Sequence, residues 1–193
     1  MEASNSVNTD TGEPRFLLPI LMDRLLEPDE CNRIIEIADG YAPERGRVGN
    51  EINDYRKTIV RRIERDDRSA ALWDRLYALV QEINDKYFGL DVNGILPPEC
   101  ISYVPGFGHF GWHTDINYKS PNVVRKLSVI IQLSAPSDYE GGDLQVFTGE
   151  PTALDKQRGA IVAFPAFVQH RVTPVTRGMR TSLVVFSLGP AWR

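Results

Sequence analysis

The segment Phe110-Gly111-Trp112-His113-Thr114-Asp115 sets an imidazole and a carboxylate two residues apart. In a strand, residues i and i+2 share a face. His113 and Asp115 would then stand side by side, opposite Trp112 and Thr114. That pair supplies two ligands for a divalent metal. The chain holds three histidines, so an imidazole as third ligand comes from His109 or His170. His109 precedes His113 by four residues, about 13 Å along an extended chain. His170 opens a later strand candidate, and antiparallel pairing can bring it against the first pair.

Two imidazoles and one carboxylate leave coordination positions open, the arrangement of non-haem Fe(II) oxygenase centres. Arg180 lies ten residues after His170 and begins the run Arg180-Thr181-Ser182-Leu183-Val184-Val185-Phe186. Period two places Arg180 and Ser182 on one face. With Thr176-Arg177-Gly178 read as a turn, a hairpin would let His170 share that side. A guanidinium grips a carboxylate through two N–H groups, and the hydroxyl adds a donor. The residues thus offer a metal with free positions and an anchor for an anionic co-substrate.

Gly106-Phe107-Gly108-His109-Phe110-Gly111 matches G-x-G-x-x-G. That motif holds a pyrophosphate only where it opens a helix. Here it runs into the His-Thr-Asp strand, so it reads as a tight turn near the metal. Glu140-Gly141-Gly142-Asp143 reads as a hairpin turn.

Those residues need rigid elements. Asp29 to Asp39 carries apolar residues at helical spacing and meets Gly40. A longer helix follows Ser69, a candidate N-cap. Its stripe is Leu72, Trp73, Leu76, Tyr77, Val80, Ile83 and Tyr87, ended by Gly89. Lys57 to Ile63 reads as a strand. After Pro98 come short β-rich runs: Cys100–Val104, Phe110–Asp115, Lys126–Ser134, Leu144–Phe147, Ala160–Phe164, His170–Val175 and Thr181–Leu188. Such spacing indicates a sandwich or barrel. Val129-Ile130-Ile131 and Leu183-Val184-Val185 are apolar on both faces, so the helices cover that sheet. The expected class is mainly β with N-terminal helices (α+β). Residues 1–15 form a loose tail and 16–193 one domain, with a helical buttress over 16–96 and a double-sheet core over 97–193.

Composition excludes several functions. The formal net charge is -4, against a nucleic-acid partner. Arg45 to Arg68 mixes basic and acidic residues and reads as a solvated surface. Cys31 and Cys100 cannot form a disulfide framework, which suggests a reducing, cytoplasmic setting. No apolar run reaches the roughly 18 residues of a membrane span, and the polar N-terminus lacks a signal peptide's apolar core.

From about Cys100 to Trp192 the chain resembles the 2-oxoglutarate- and Fe(II)-dependent dioxygenases, in the prolyl 4-hydroxylase-like branch that includes PKHD-type hydroxylases. The resemblance rests on Tyr103-Val104-Pro105-Gly106, His113-Thr114-Asp115, Glu140-Gly141-Gly142-Asp143-Leu144, and His170-Arg171-Val172-Thr173-Pro174-Val175 leading to Arg180. It implies a double-stranded β-helix (jelly roll) with helices packed on the major sheet. It implies Fe(II) on His113, Asp115 and His170, with 2-oxoglutarate and O2 as co-substrates and ascorbate as an accessory reductant. Arg180 would hold the distal carboxylate of 2-oxoglutarate. Tyr103 matches a tyrosine that approaches 2-oxoglutarate. A second such tyrosine appears here as Gln132, whose amide could donate instead, with Ser182 compensating. Halogenating relatives leave the carboxylate position open, so Asp115 implies hydroxylation.

For substrate, the loop from Ile116 to Arg125 should border the site, with Asn117, Tyr118 and Arg125 as candidate contacts. Arg45 to Tyr55 is a candidate lid. The 193-residue length favours a small molecule, such as an amino acid or natural-product scaffold, over a peptide, and peptidyl proline stays open. Two readings of other classes also stay open: a non-enzymatic, cupin-like metal-binding module, and a metal-dependent isomerase or hydrolase.

Overall fold

The computed structural model describes residues 19–22, 26–48, 51–106, 108–116 and 123–192. The expected tail over 1–15, Phe107, Asn117 and Tyr118 lie outside the described residues, as do residues 49–50 of the expected lid.

With strands numbered in chain order, the larger sheet runs β1 (Ile20–Leu21), β12 (Ile161–Pro165), β8 (Val124–Gln132), β15 (Arg180–Gly189), β6 (Glu99–Tyr103), β4 (Ile59–Arg62), β2 (Glu44–Arg45). A short β5 (Gly94–Ile95) also pairs with β15. The smaller sheet runs β11 (Pro151–Ala153), β10 (Leu144–Phe147), β13 (His170–Val172), β7 (His109–His113), β3 (Arg56–Lys57). A two-stranded ribbon joins β14 (Val175–Gly178) to β9 (Tyr139–Gly141). All pairings are antiparallel, and the architecture is a jelly roll with few helices.

Strand alternation gives β8 and β15 two working faces. Leu127, Val129, Ile131, Leu183 and Val185 join one apolar core with α1 (Pro28–Asp39) and α2 (Ala70–Ile83). The intervening Ile130, Val184 and Phe186 belong to a second core between the sheets. Helix α1 starts with Pro28 after Glu27, whose backbone N–H donates to the Glu30 carboxylate at 2.9 Å. Ser69 precedes α2, but its side chain does not cap the helix. Its hydroxyl turns back to the Glu64 carbonyl, and Asp66 Oδ1 accepts the N–H groups of Arg68 and Ser69. Leu183 is fully buried at the helix–sheet seam. Leu183→Ala should cost about 2–5 kcal/mol, seen as a melting point lower by roughly 2–4 °C per kcal/mol.

Four sequence expectations change. The expected strand Lys57 to Ile63 divides at Thr58, giving β3 to the smaller sheet and β4 to the larger. The N-terminal half is therefore part of both sheets as well as a helical buttress. Thr176-Arg177-Gly178 is a strand, β14, and not a turn. His170 and Arg180 accordingly sit in different sheets, not in one hairpin. Nor is Glu140-Gly141-Gly142-Asp143 a hairpin: β9 pairs with β14, while β10 pairs with β11 and β13. The chain crosses between sheets there. Gly141 and Gly142 both have positive φ, 70° and 62°. A Cβ on Gly141 would lie 2.1 Å from the Pro174 carbonyl oxygen, so the crossing needs glycine.

Among the described residues, no helix is long and apolar enough to cross a membrane.

Candidate active site

His113 ends β7 and is the register partner of His170 at the start of β13. The pairing anticipated for His170 is therefore present, and the two rings lie 4.2 Å apart between centroids. The strand stops at His113, so strict alternation does not govern Asp115. Its backbone N–H donates to the Ala166 carbonyl at 2.8 Å. Thr114 lines the same cavity instead of pointing away.

The three side chains converge. His113 Nε2 is 3.6 Å from Asp115 Oδ1, and His170 Nε2 is 3.3 Å from Asp115 Oδ2. One donor atom from each residue lies within 4.8 Å of the others. On the far side of each ring, Nδ1 meets a backbone carbonyl: Gly111 at 2.7 Å for His113, and Val168 at 3.0 Å for His170. A carbonyl only accepts, so each Nδ1 carries the proton and each Nε2 presents a lone pair towards Asp115. Burial, reinforced by the second imidazole, pushes the His113 pKa down to about 4, so the ring is neutral at ordinary pH. Burial alone would raise the Asp115 carboxyl. The group nevertheless lies below the usual carboxylate range, with the Ser128 hydroxyl and the Arg125 charge among the causes that favour its ionised form. Two imidazoles with Nδ1 tied to backbone carbonyls and an ionised carboxylate fit a divalent cation.

Ser128, on β8, donates its hydroxyl to Asp115 Oδ2 at 2.6 Å. This residue was not anticipated from sequence. The signal was present, since a lone hydroxyl at a core-facing position must find a partner. Ser128→Ala should weaken divalent-metal binding roughly 10- to 100-fold, measured by titration, with the melting point of the metal-free protein as a folding control.

The cavity beside this cluster holds about 490 Å³, within the usual range of small-molecule sites. Tyr103, Arg180 and Ser182 line it. Tyr103 on β6 is the register partner of Arg180 on β15. The guanidinium carbon of Arg180 lies 5.1 Å from the Tyr103 ring centroid. Arg180 Nη1 donates to Ser182 Oγ at 3.5 Å. Burial raises the Tyr103 pKa, against the pull of Arg180, so the phenol keeps its proton. Gln132 is absent from the cavity lining. Its amide donates to the Ser134 carbonyl at 3.2 Å and to the Tyr139 hydroxyl at 3.1 Å.

His109 lies on the outer part of β7, 2.9 Å from the Asp54 carbonyl oxygen, away from the cluster. Gly108 enters β7 with no helix behind it, as expected of the glycine-rich turn. Arg47, Arg56 and Arg62 all line the cavity, so the basic stretch is not purely a solvated surface. The cysteines are buried, and burial raises Cys100 to about 12. They pack and do not react.

Residues 99–187 match the family described as the 2OG-Fe(II) oxygenase superfamily. That segment, a little under half of the chain, resembles the 2OG-Fe(II) oxygenases. A PKHD-type hydroxylase of Sphingopyxis alaskensis is 34% identical over 115 residues, 58% of this chain and 52% of the relative. The chain thus spans about half the length of that curated relative. Among solved structures, a Trichoplax adhaerens prolyl hydroxylase in complex with a hypoxia inducible factor peptide fragment aligns with a TM-score of 0.73 and 15% identity. That alignment covers 89% of this chain and 83% of that one. A Pseudomonas putida prolyl-4-hydroxylase aligns with a TM-score of 0.69 and 19% identity, covering 91% and 93%. At those identities the structural likeness establishes the fold. The chain is thus similar to PKHD-type hydroxylases and shares the fold of prolyl hydroxylases, and the matched family works with Fe(II), 2-oxoglutarate and O2.

Proposed function

We propose that this chain is an Fe(II)- and 2-oxoglutarate-dependent dioxygenase that hydroxylates an unactivated C–H bond of a small molecule. One observation carries the reading. A two-histidine, one-aspartate cluster with both Nε2 lone pairs turned inward shares a cavity with a buried arginine.

In this reading His113, Asp115 and His170 hold Fe(II), and Ser128 fixes the carboxylate so that Oδ1 is presented. The chemistry supplied by iron, 2-oxoglutarate and O2 together is oxidative decarboxylation to succinate and CO2, with one oxygen atom inserted into the substrate C–H bond. The protein binds and orients. Arg180 grips the distal carboxylate of 2-oxoglutarate through its planar fork, with Ser182 as a further donor. Tyr103 remains a phenol and donates to the same co-substrate. Ile101, Ile130 and Val184 line the cavity between these groups and exclude water. The Asp115 carboxylate fills the position that a halide would need, which favours hydroxylation. Gln132 acts as a support for Tyr139.

A peptide substrate is the second reading, favoured by the Trichoplax neighbour, which was solved with a peptide fragment. A non-enzymatic metal-binding module gives no reason for a buried arginine to face the cluster. The test is succinate formation from 2-oxoglutarate, measured with and without Fe(II) and O2. Turnover that needs all three supports the reading. Turnover without O2, or metal binding with no 2-oxoglutarate consumption, contradicts it.

A further inference from the structure

The cavity carries more positive charge than an Fe(II)/2-oxoglutarate centre uses. Among the described residues, five arginines line it, against the two carboxylates Glu99 and Asp115. A divalent cation and a dicarboxylate cancel each other, so the surplus remains after both have bound. Part of it is managed within the protein. Arg56 and Arg62 share Glu99, at 3.5 and 3.4 Å, and Arg62 also pairs with Glu44 at 2.7 Å.

Arg125 differs. Its Nη1 reaches the Asp115 backbone carbonyl at a long 3.4 Å. Its guanidinium carbon lies 3.8 Å from the Phe186 ring centroid. Its Nε is buried with no hydrogen-bond partner. None of these contacts is a carboxylate. Burial pulls its pKa below the ordinary arginine value, the Asp115 and Glu99 carboxylates oppose that shift, and the Arg56 and Arg62 charges add to it. Arginine does not give up its proton in proteins. The charge therefore stays, buried and only partly offset by the Asp115 and Glu99 carboxylates.

We propose that Arg125 anchors a carboxylate of the substrate, which makes the substrate a small carboxylic acid. The inference rests on the oxygenase reading. Stacking on Phe186 engages the face of the guanidinium, whereas a carboxylate binds at its edge in a bidentate way. Arg125 also touches the backbone of Asp115. A carboxylate held there sits beside a metal ligand, and only carbons a few bonds from it reach the open metal positions. The hydroxylated C–H bond therefore lies close to the carboxylate. An internal residue of a polypeptide has no main-chain carboxylate to offer, whereas a free amino acid or its N-acyl derivative does.

The experiment compares the twenty free amino acids and their N-acetyl derivatives, each as the acid and as the carboxamide. The readout is succinate formation above the substrate-free rate, with Fe(II), 2-oxoglutarate and O2 present. Stimulation is expected from acids, with the matching carboxamides weaker by at least tenfold. For the best acid, Arg125→Gln should raise KM roughly 10- to 150-fold, the range of a charge-assisted hydrogen bond, and Arg125→Lys should raise it less. Carboxamides as effective as acids, no stimulation by any acid, or an unchanged KM in a folded Arg125→Gln protein would overturn the proposal. The acid–amide comparison uses the wild-type protein and does not depend on how the variants fold. Wild-type protein that consumes no 2-oxoglutarate under any condition defeats the oxygenase reading itself. Succinate formed without acid–amide discrimination defeats only the anion anchor.

Discussion

Asp115→Ala is expected to abolish 2-oxoglutarate-dependent succinate formation and to weaken Fe(II) binding by more than about 100-fold. That is beyond what loss of a supporting residue produces. The carboxylate is the one anionic donor in the cluster, and both imidazoles face it. It is 8% exposed and fixed by Ser128, so a water molecule cannot take its place with the same charge or position. Its loss leaves two imidazoles, too few donors to hold a divalent cation firmly. Asp115→Asn keeps the shape and removes the charge, and should fall between the two. Anaerobic Fe(II) titration and succinate assay measure the two effects. Fe(II) affinity retained in the alanine variant would remove Asp115 from the site.

Arg180→Ala is expected to raise the KM for 2-oxoglutarate at least roughly 30-fold, with Arg180→Lys less severe. Arg180 is 3% exposed, and its guanidinium donates to the Ser182 hydroxyl and lies over the Tyr103 ring, neither of them a carboxylate. Truncating one partner of a buried, hydrogen-bonded charge pair costs about 2–5 kcal/mol, and 1.4 kcal/mol is tenfold. Lysine keeps the charge but loses the fork. Isothermal titration with 2-oxoglutarate in the presence of Mn(II) isolates binding from turnover. Equal affinity in wild type and the alanine variant would place the distal carboxylate elsewhere.

Residue type and, along β15, strand period made part of this candidate site legible. His113, Asp115, His170, Arg180 and Ser182 are chemically marked, and alternation along β15 puts Arg180 and Ser182 together. The two-sided apolar runs on β8 and β15 likewise announced a sheet covered by helices. What escaped depended on contacts distant in sequence. Ser128 looks like one polar residue inside an apolar run until Asp115 is brought to it. Arg56 and Arg62 sit in a charged stretch typical of a solvated face, yet β3 and β4 carry them to the cavity wall. Short sequence separation misled at residues 140–143 and 176–178. Both look like turns, and each is part of a ribbon or crossing set by pairing with the other. Gln132 was assigned to 2-oxoglutarate by resemblance, whereas the Tyr139 hydroxyl takes its amide.

The central claim is that His113, Asp115, His170 and Arg180 assemble one Fe(II)/2-oxoglutarate centre. Visible absorption of the anaerobic protein with Fe(II) tests it directly, because a weak charge-transfer band requires both components on the same metal. The account predicts that the band appears when 2-oxoglutarate is added to wild-type protein and is absent from Asp115→Ala. No band in wild-type protein that binds both Fe(II) and 2-oxoglutarate would contradict it.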